Sequence, residues 1–214
     1  MRVQIFSCIF LCLSACGHAK KDLVSNKIVD SDITINKLPE KIPNKKKKQN
    51  IIGPLPSFAK ANQTAKRLLN ESFYFNAVDE AAPFGNHDGA AGYLAFNDWR
   101  YTHKGIDPKE FLLEQLDDVG YPKFDINETQ FLKLTPYLQE HEFGNRLMAG
   151  TDAIIVAIAF GQLYLEGSID SSFKVITKAS IRRQLIPELL AVWGDPYKVQ
   201  RAAKLNKMLA VLNK

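Results

Sequence analysis

The run "TDAIIVAIAFGQLYLE", residues 151 to 166, restricts the fold more than any other part of this chain. From Ala153 to Phe160 it is apolar on every side, and a helix of that kind belongs in the centre of a fold. With about 13 apolar residues broken by Gln162, it falls short of the ~20 that span a bilayer core. The run therefore predicts a buried hub helix over 152–166, ended by Gly167, around which other helices must lie.

The neighbouring patterns are helical as well. "SFAKANQTAKRLLNE" places Phe58, Ala61, Ala65, Leu68 and Leu69 on one face of a predicted helix. Asp107-Pro108-Lys109-Glu110 is a strong helix start: an Asp cap, Pro in the first turn and Glu placed for a capping box. That helix carries Phe111, Leu112 and Leu116 and stops at Gly120. Asp170 opens another, which Pro187 breaks. Asp195-Pro196 repeats the start signal, followed by Val199, Ala202, Leu205, Leu209 and Leu212 opposite Lys198, Arg201, Lys204 and Lys207. Only "SFYFNAV", residues 72 to 78, is β-tending. The predicted fold is mainly α: a single compact helical domain over 57–214 around one central helix, with at most a short strand or extended arm near 72–78.

The N-terminus addresses the chain. Met1-Arg2 precedes an apolar stretch, Val3 to Leu13, too short to cross a membrane and followed by small residues, as in a secretory signal. "LSAC", residues 13 to 16, resembles the lipobox of bacterial lipoproteins. The resemblance implies removal of a signal peptide at 1–15, fatty acylation of Cys16 and attachment to membrane lipid. Gly17, where Asp would retain such a protein in the inner membrane, points to the outer membrane facing the periplasm. The competing reading is an ordinary secretory signal in which Cys16 is incidental. All three cysteines (Cys8, Cys12 and Cys16) lie in or at the end of the signal, so the body has no disulfide and must rest on its apolar core.

Residues 16–56 are lysine-rich, contain four prolines and have no sustained periodicity, which predicts a disordered tether. Forty such residues reach about 35 Å. Lys45 to Lys48 either touch anionic lipid or keep the linker solvated and extended. The net charge of +5 belongs to this segment: residues 17–56 hold nine Lys against four acids, and residues 57–214 hold 18 basic against 19 acidic residues. A body so nearly neutral lacks the basic footprint of a nucleic-acid-binding fold.

Candidate chemistry concentrates in "PFGNHDGAAG", residues 83 to 92, just after Asp79 and Glu80. A calcium loop fails, because Phe84 and Ala95 would occupy two donor positions. A transition-metal or hydrolytic site assembled in space from Asp79, Glu80, His87 and Asp88 is one reading. There is no G-x-S-x-G and no cysteine nucleophile in the body, and His87 and Asp88, being adjacent, form no dyad on a helix. The other reading is a helix entrance: Asn86 or Asp88 caps a helix running to about Tyr101, glycines bend the backbone before it, and Tyr93, Leu94, Phe96 and Trp99 enter the core.

Residues 73–100, "FYFNAVDEAAPFGNHDGAAGYLAFNDWR", resemble the signature of the bacterial YfeS-like proteins, in which an aromatic arm and an acidic pair lead into a P-F-G-N-[acidic]-x-G helix start. Segments 157–170 and 182–190 are similar to that family too. This chain carries His87 and Ala91 at positions where the family pattern is acidic. The resemblance implies a fold and no activity. The sequence thus predicts an envelope lipoprotein that binds an unidentified protein partner, one form of which is an immunity protein against an envelope-targeted toxin. No cofactor is expected. The alternative is a hydrolase or metal-dependent enzyme using the 79–88 cluster.

Overall fold

Helix α5, Gly144–Glu166, runs through the middle of the molecule, and every residue from Ile154 to Tyr164 is buried. A computed structural model describes residues 54–214; the predicted signal peptide, Cys16 and the tether up to residue 53 lie outside the described residues. The hub helix starts eight residues earlier than expected and spans 23 residues. That length and apolarity would suffice to cross a membrane, but 83% of its most apolar window is covered by the rest of the fold. Gly167 ends it in the left-handed region at φ 78°, donating its N–H to Leu163 O.

Seven further helices surround it: α1 (Gln63–Leu68), α2 (His87–Thr102), α3 (Pro108–Val119), α4 (Phe131–Glu140), α6 (Ser171–Gln184), α7 (Pro187–Ala191) and α8 (Tyr197–Leu212). Helices α1, α2, α3, α4 and α6 all pack on α5, with α2 making the most extensive contact; α8 packs on α6, and α7 bridges those two. Two glycines let α2 and α5 approach. A Cβ on Gly92 would stand 3.3 Å from Ile154 Cγ2, and one on Gly161 would stand 2.8 Å from Tyr93 Cδ2. Phe96, Phe160, Phe173, Leu112 and Leu205 fill the space around them. The architecture is mainly α, and no strand occurs among the described residues.

Several boundaries follow the sequence signals. The Asp107 side chain accepts the Lys109 N–H at 2.9 Å, Pro108 opens α3, and Gly120 closes it at φ 69°. Other elements depart from expectation. The continuous helix predicted from Ser57 is a 3-10 turn, Phe58–Lys60, then a break at Ala61 and a fresh start at α1, capped by Asn62. Phe58, predicted to face the core, is half exposed. The β-tending segment forms a 3-10 turn, Ser72–Phe75, with Phe73 and Tyr74 buried against the hub. An extended segment with no neighbouring strand has nowhere to spend its backbone hydrogen bonds, so the chain closes them locally.

Helix α8 corrects the sequence reading most. Val199 is exposed, while Arg201, Leu205, Met208, Val211 and Leu212 are buried. Leu205 and Leu212 are buried as predicted, but the stripe leaves out Val199 and takes in Met208 and an arginine placed by the sequence on the solvent side. Asp195 does not cap this helix; Pro196 occupies the cap, and Asp195 pairs with Lys198 at 3.0 Å.

Candidate functional site

The segment 79–88 is held by its own short-range hydrogen bonds. Asp79 Oδ1 accepts the Ala81 N–H at 3.0 Å, and Asn86 Oδ1 accepts the Gly89 N–H at 2.8 Å, capping α2. Gly85 sits so close to the backbone carbonyls of Asp79 and Asn76 that a Cβ there would overlap both. Phe84 is buried and packs edge-on to Tyr93 at 5.1 Å, fixing how the loop enters the helix. This tight loop brings the start of α2 to the rim of a cleft.

The cleft has a volume of about 360 Å³ and lies where the first turns of α2, α5 and α8 meet the α6–α7 junction. That is within the range of ligand-binding cavities, roughly 300–1,000 Å³. Met148 and Ala149 of α5 with Leu189, Val192 and Trp193 beyond α6 provide its apolar surface. Polar groups converge on it from four elements.

Of the four residues singled out from sequence, Glu80, His87 and Asp88 line the cleft and Asp79 does not. Asp79 bonds Lys204 Nζ of α8 and lies 3.4 Å from the Tyr197 hydroxyl. Its burial pushes the carboxyl up, but the Lys204 ammonium, the Ala81 N–H and the Tyr197 hydroxyl together hold it below the usual carboxylate range. Asp88 is buried and accepts the Tyr121 hydroxyl at 2.9 Å and Arg146 Nη1 at 2.5 Å. Burial and then the neighbouring Asp88 carboxylate push the Tyr121 hydroxyl up, and the same carboxylate raises Arg146. Gly150 leaves room for this trio, since a Cβ there would stand 2.7 Å from both Asp88 Oδ2 and Tyr121 Cε2. His87 and Glu80 are exposed at the mouth. Among the described residues, no three His, Cys, Asp or Glu side chains are placed to hold a metal ion.

The sequence reading missed three partners of the cleft. Asp152 of the hub is fully enclosed and binds Arg183 of α6, whose Nε lies 3.1 Å from Oδ1 and 3.2 Å from Oδ2. Arg183 also donates to the carbonyls of Ile126 at 3.1 Å and Glu128 at 2.6 Å. Burial pushes the Asp152 carboxyl up while Arg183 draws it down. The third is Arg201, which donates through Nη1 to the Glu80 carbonyl at 2.9 Å and through Nη2 to Gln184 Oε1 at 2.7 Å. Its guanidinium carbon lies 3.9 Å from the Trp193 ring centroid. Desolvation lowers its pKa below the ordinary value. A signal for Arg201 did exist: it stands four residues before Leu205, in step with Met208 and Leu212.

Asp88 and Asp152 are thus committed to ion pairs, and the rest of the cleft offers an apolar surface, the buried Arg201 and the exposed polar groups of Glu80, His87 and Asn145. Such an arrangement can enclose a side chain or a short segment of another molecule; it presents no paired base and nucleophile. The chain matches no family model, no curated protein and no solved structure.

Proposed function

We propose that this protein is a lipid-anchored component of the bacterial envelope, acylated on Cys16, whose helical body binds another protein through the cleft. The resemblance of "LSAC" to a lipobox supports the anchor, and the lysine-rich tether would give the body about 35 Å of reach from the membrane. One observation carries the binding reading. A cleft of about 360 Å³ joins an apolar surface of Met148, Leu189, Val192 and Trp193 to polar groups of four helices, while its Asp88 and Asp152 are already neutralised by Arg146 and Arg183. Carboxylates held in ion pairs rigidify a recognition surface and are poorly placed to exchange protons with a substrate. The body would then act as an immunity protein or a similar capture module.

Purification of the native lipoprotein in detergent, with mass spectrometry of what accompanies it, tests this function. A stoichiometric protein partner, together with labelled palmitate on the parent and none on Cys16→Ser, is the expected result. Stoichiometric bound metal by elemental analysis, or a hydrolytic activity lost in His87→Ala and Asp88→Ala, would replace it with the enzymatic reading.

A further inference from the structure

Three arginines are buried among the described residues, and they are not treated alike. Arg100 binds the Glu166 carboxylate through Nε and Nη2. Arg183 binds Asp152. Arg201, only 5% exposed, bonds no carboxylate among the described residues. Its partners are neutral oxygens, the Glu80 backbone carbonyl, the Gln184 side chain and the Tyr197 hydroxyl, and its buried Nε finds no acceptor. A guanidinium carries five N–H donors, so these contacts leave it incompletely satisfied, with Nε–H the clear orphan. Burying a charge is costly unless a counter-ion accompanies it.

Glu80 and Asp152 act on Arg201 only through space, too weakly to offset its burial, and neither carboxylate bonds it. Asp88 is matched by Arg146 and Asp152 by Arg183. Glu80 gives Arg201 its backbone oxygen, and its side chain is exposed at the mouth. Trp193 stacks against the guanidinium and holds its plane, so little side-chain entropy remains to be lost when an anion arrives. The cleft that Arg201 lines also carries the apolar side chains of Met148, Leu189 and the exposed Val192. A lone inorganic anion would leave those side chains unused. A carboxylate flanked by apolar side chains would use both.

We infer that the cleft receives an acidic peptide segment of the partner protein, with an aspartate or glutamate carboxylate seated on Arg201 and a neighbouring apolar side chain against Leu189, Val192 and Met148. This deepens the proposed function and rests on it.

The test uses the full chain in detergent and an array of immobilised peptides. Peptides with leucine–glutamate–leucine or leucine–aspartate–leucine cores are each paired with their glutamine or asparagine isosteres. The parent should retain acidic peptides at least about tenfold over their amide pairs. Glu80→Gln, which removes a competing negative charge at the mouth, should strengthen that retention a few-fold. Val192→Asp should weaken it about tenfold, and Arg201→Gln should abolish the acid preference. Thermal melts check folding; Val192→Asp alters an exposed residue and keeps the test decisive if Arg201→Gln unfolds the protein. Equal retention of acidic and amide peptides, no retention of either, or an acid preference that survives Val192→Asp would overturn the inference. Displacement of bound peptide by phosphatidylglycerol in mixed micelles, but not by phosphatidylcholine, would assign the site to lipid headgroups and overturn it too. Failure here is separable from failure of the proposed function. A protein partner recovered equally by parent and Val192→Asp leaves the binding module standing and removes only the cleft as its site.

Discussion

Asp152 and Arg183 illustrate how a single buried pair can be essential without being strongly stabilising. Both side chains are almost fully enclosed, and Arg183 also ties down the Ile126 and Glu128 carbonyls and covers the Phe124 ring. Removing one charge strands the other in a low-dielectric interior. Asp152→Asn should therefore cost about 3–5 kcal/mol in urea unfolding. Asp152→Leu combined with Arg183→Met should recover part of that loss and no more. The two carbonyls would lose their donor, at roughly 1–3 kcal/mol for each one left unsatisfied. A single-mutant cost below about 1 kcal/mol would mean that water reaches the pair. Gly85 makes a second case at this scale. Both atoms that a Cβ would strike first are backbone carbonyl oxygens, which cannot swing aside as a side chain can. Lying outside any helix, Gly85→Ala gains nothing from helix propensity and should destabilise by about 1–3 kcal/mol. An alanine variant as stable as the parent would show that the 79–86 loop relaxes freely.

Among the elements, α8 shows what pattern reading can and cannot recover. Its start, its length and its amphipathic character follow from the sequence, but its phase does not. With Arg201 counted among the polar residues, the predicted face was Val199, Ala202, Leu205, Leu209 and Leu212; the buried residues are Arg201, Leu205, Met208, Val211 and Leu212. Apolarity alone could not decide, because the buried arginine belongs to the cleft and not to the oil-like core. Met208→Ala should cost about 2–5 kcal/mol, and Val199→Ala should stay within about 0.5 kcal/mol of the parent. Parallel denaturant titrations of the two decide between the phases. Elsewhere legibility follows local chemistry. The Asp107 cap, the Gly120 and Gly167 stops and the all-apolar hub were readable, since each is determined by residues within a turn or two. The early start of α5 was not, because residues 144–151 are mixed in character and become helical by packing. The break at Ala61 and Asn62 was equally hidden: the Asn62 N–H donates to the Tyr164 carbonyl at the far end of α5, a long-range bond that no window of sequence contains. Half of the cleft was visible as the acidic and imidazole cluster at 79–88; the arginines opposite it come from helices more than fifty residues away.

On the scale of the whole molecule, the N-terminal arm is clamped to the C-terminal helix. Glu71 pairs with Lys207, Asp79 with Lys204, and the Glu80 carbonyl with Arg201, so three successive sites of the arm meet three rungs of α8. The clamp closes the cleft on the side of Glu80. Its middle rung makes stability depend on acid. Asp79 is held below the ordinary carboxylate range in the folded state, mainly by Lys204 once its burial is offset. The unfolded chain then binds more protons than the folded one between that lowered pKa and the ordinary value near 4. The stabilisation is complete above the unfolded pKa and is lost as pH falls through the folded one. Lys204→Met should move the folded carboxyl upwards and so flatten the loss of stability from about pH 5 downwards, while leaving α8 in place through Leu205 and Met208. Urea unfolding of parent and variant at intervals between about pH 3 and 6 reads the difference in slope directly. Identical slopes would show that Asp79 titrates alike in both and that the arm is held to α8 by the two outer rungs alone.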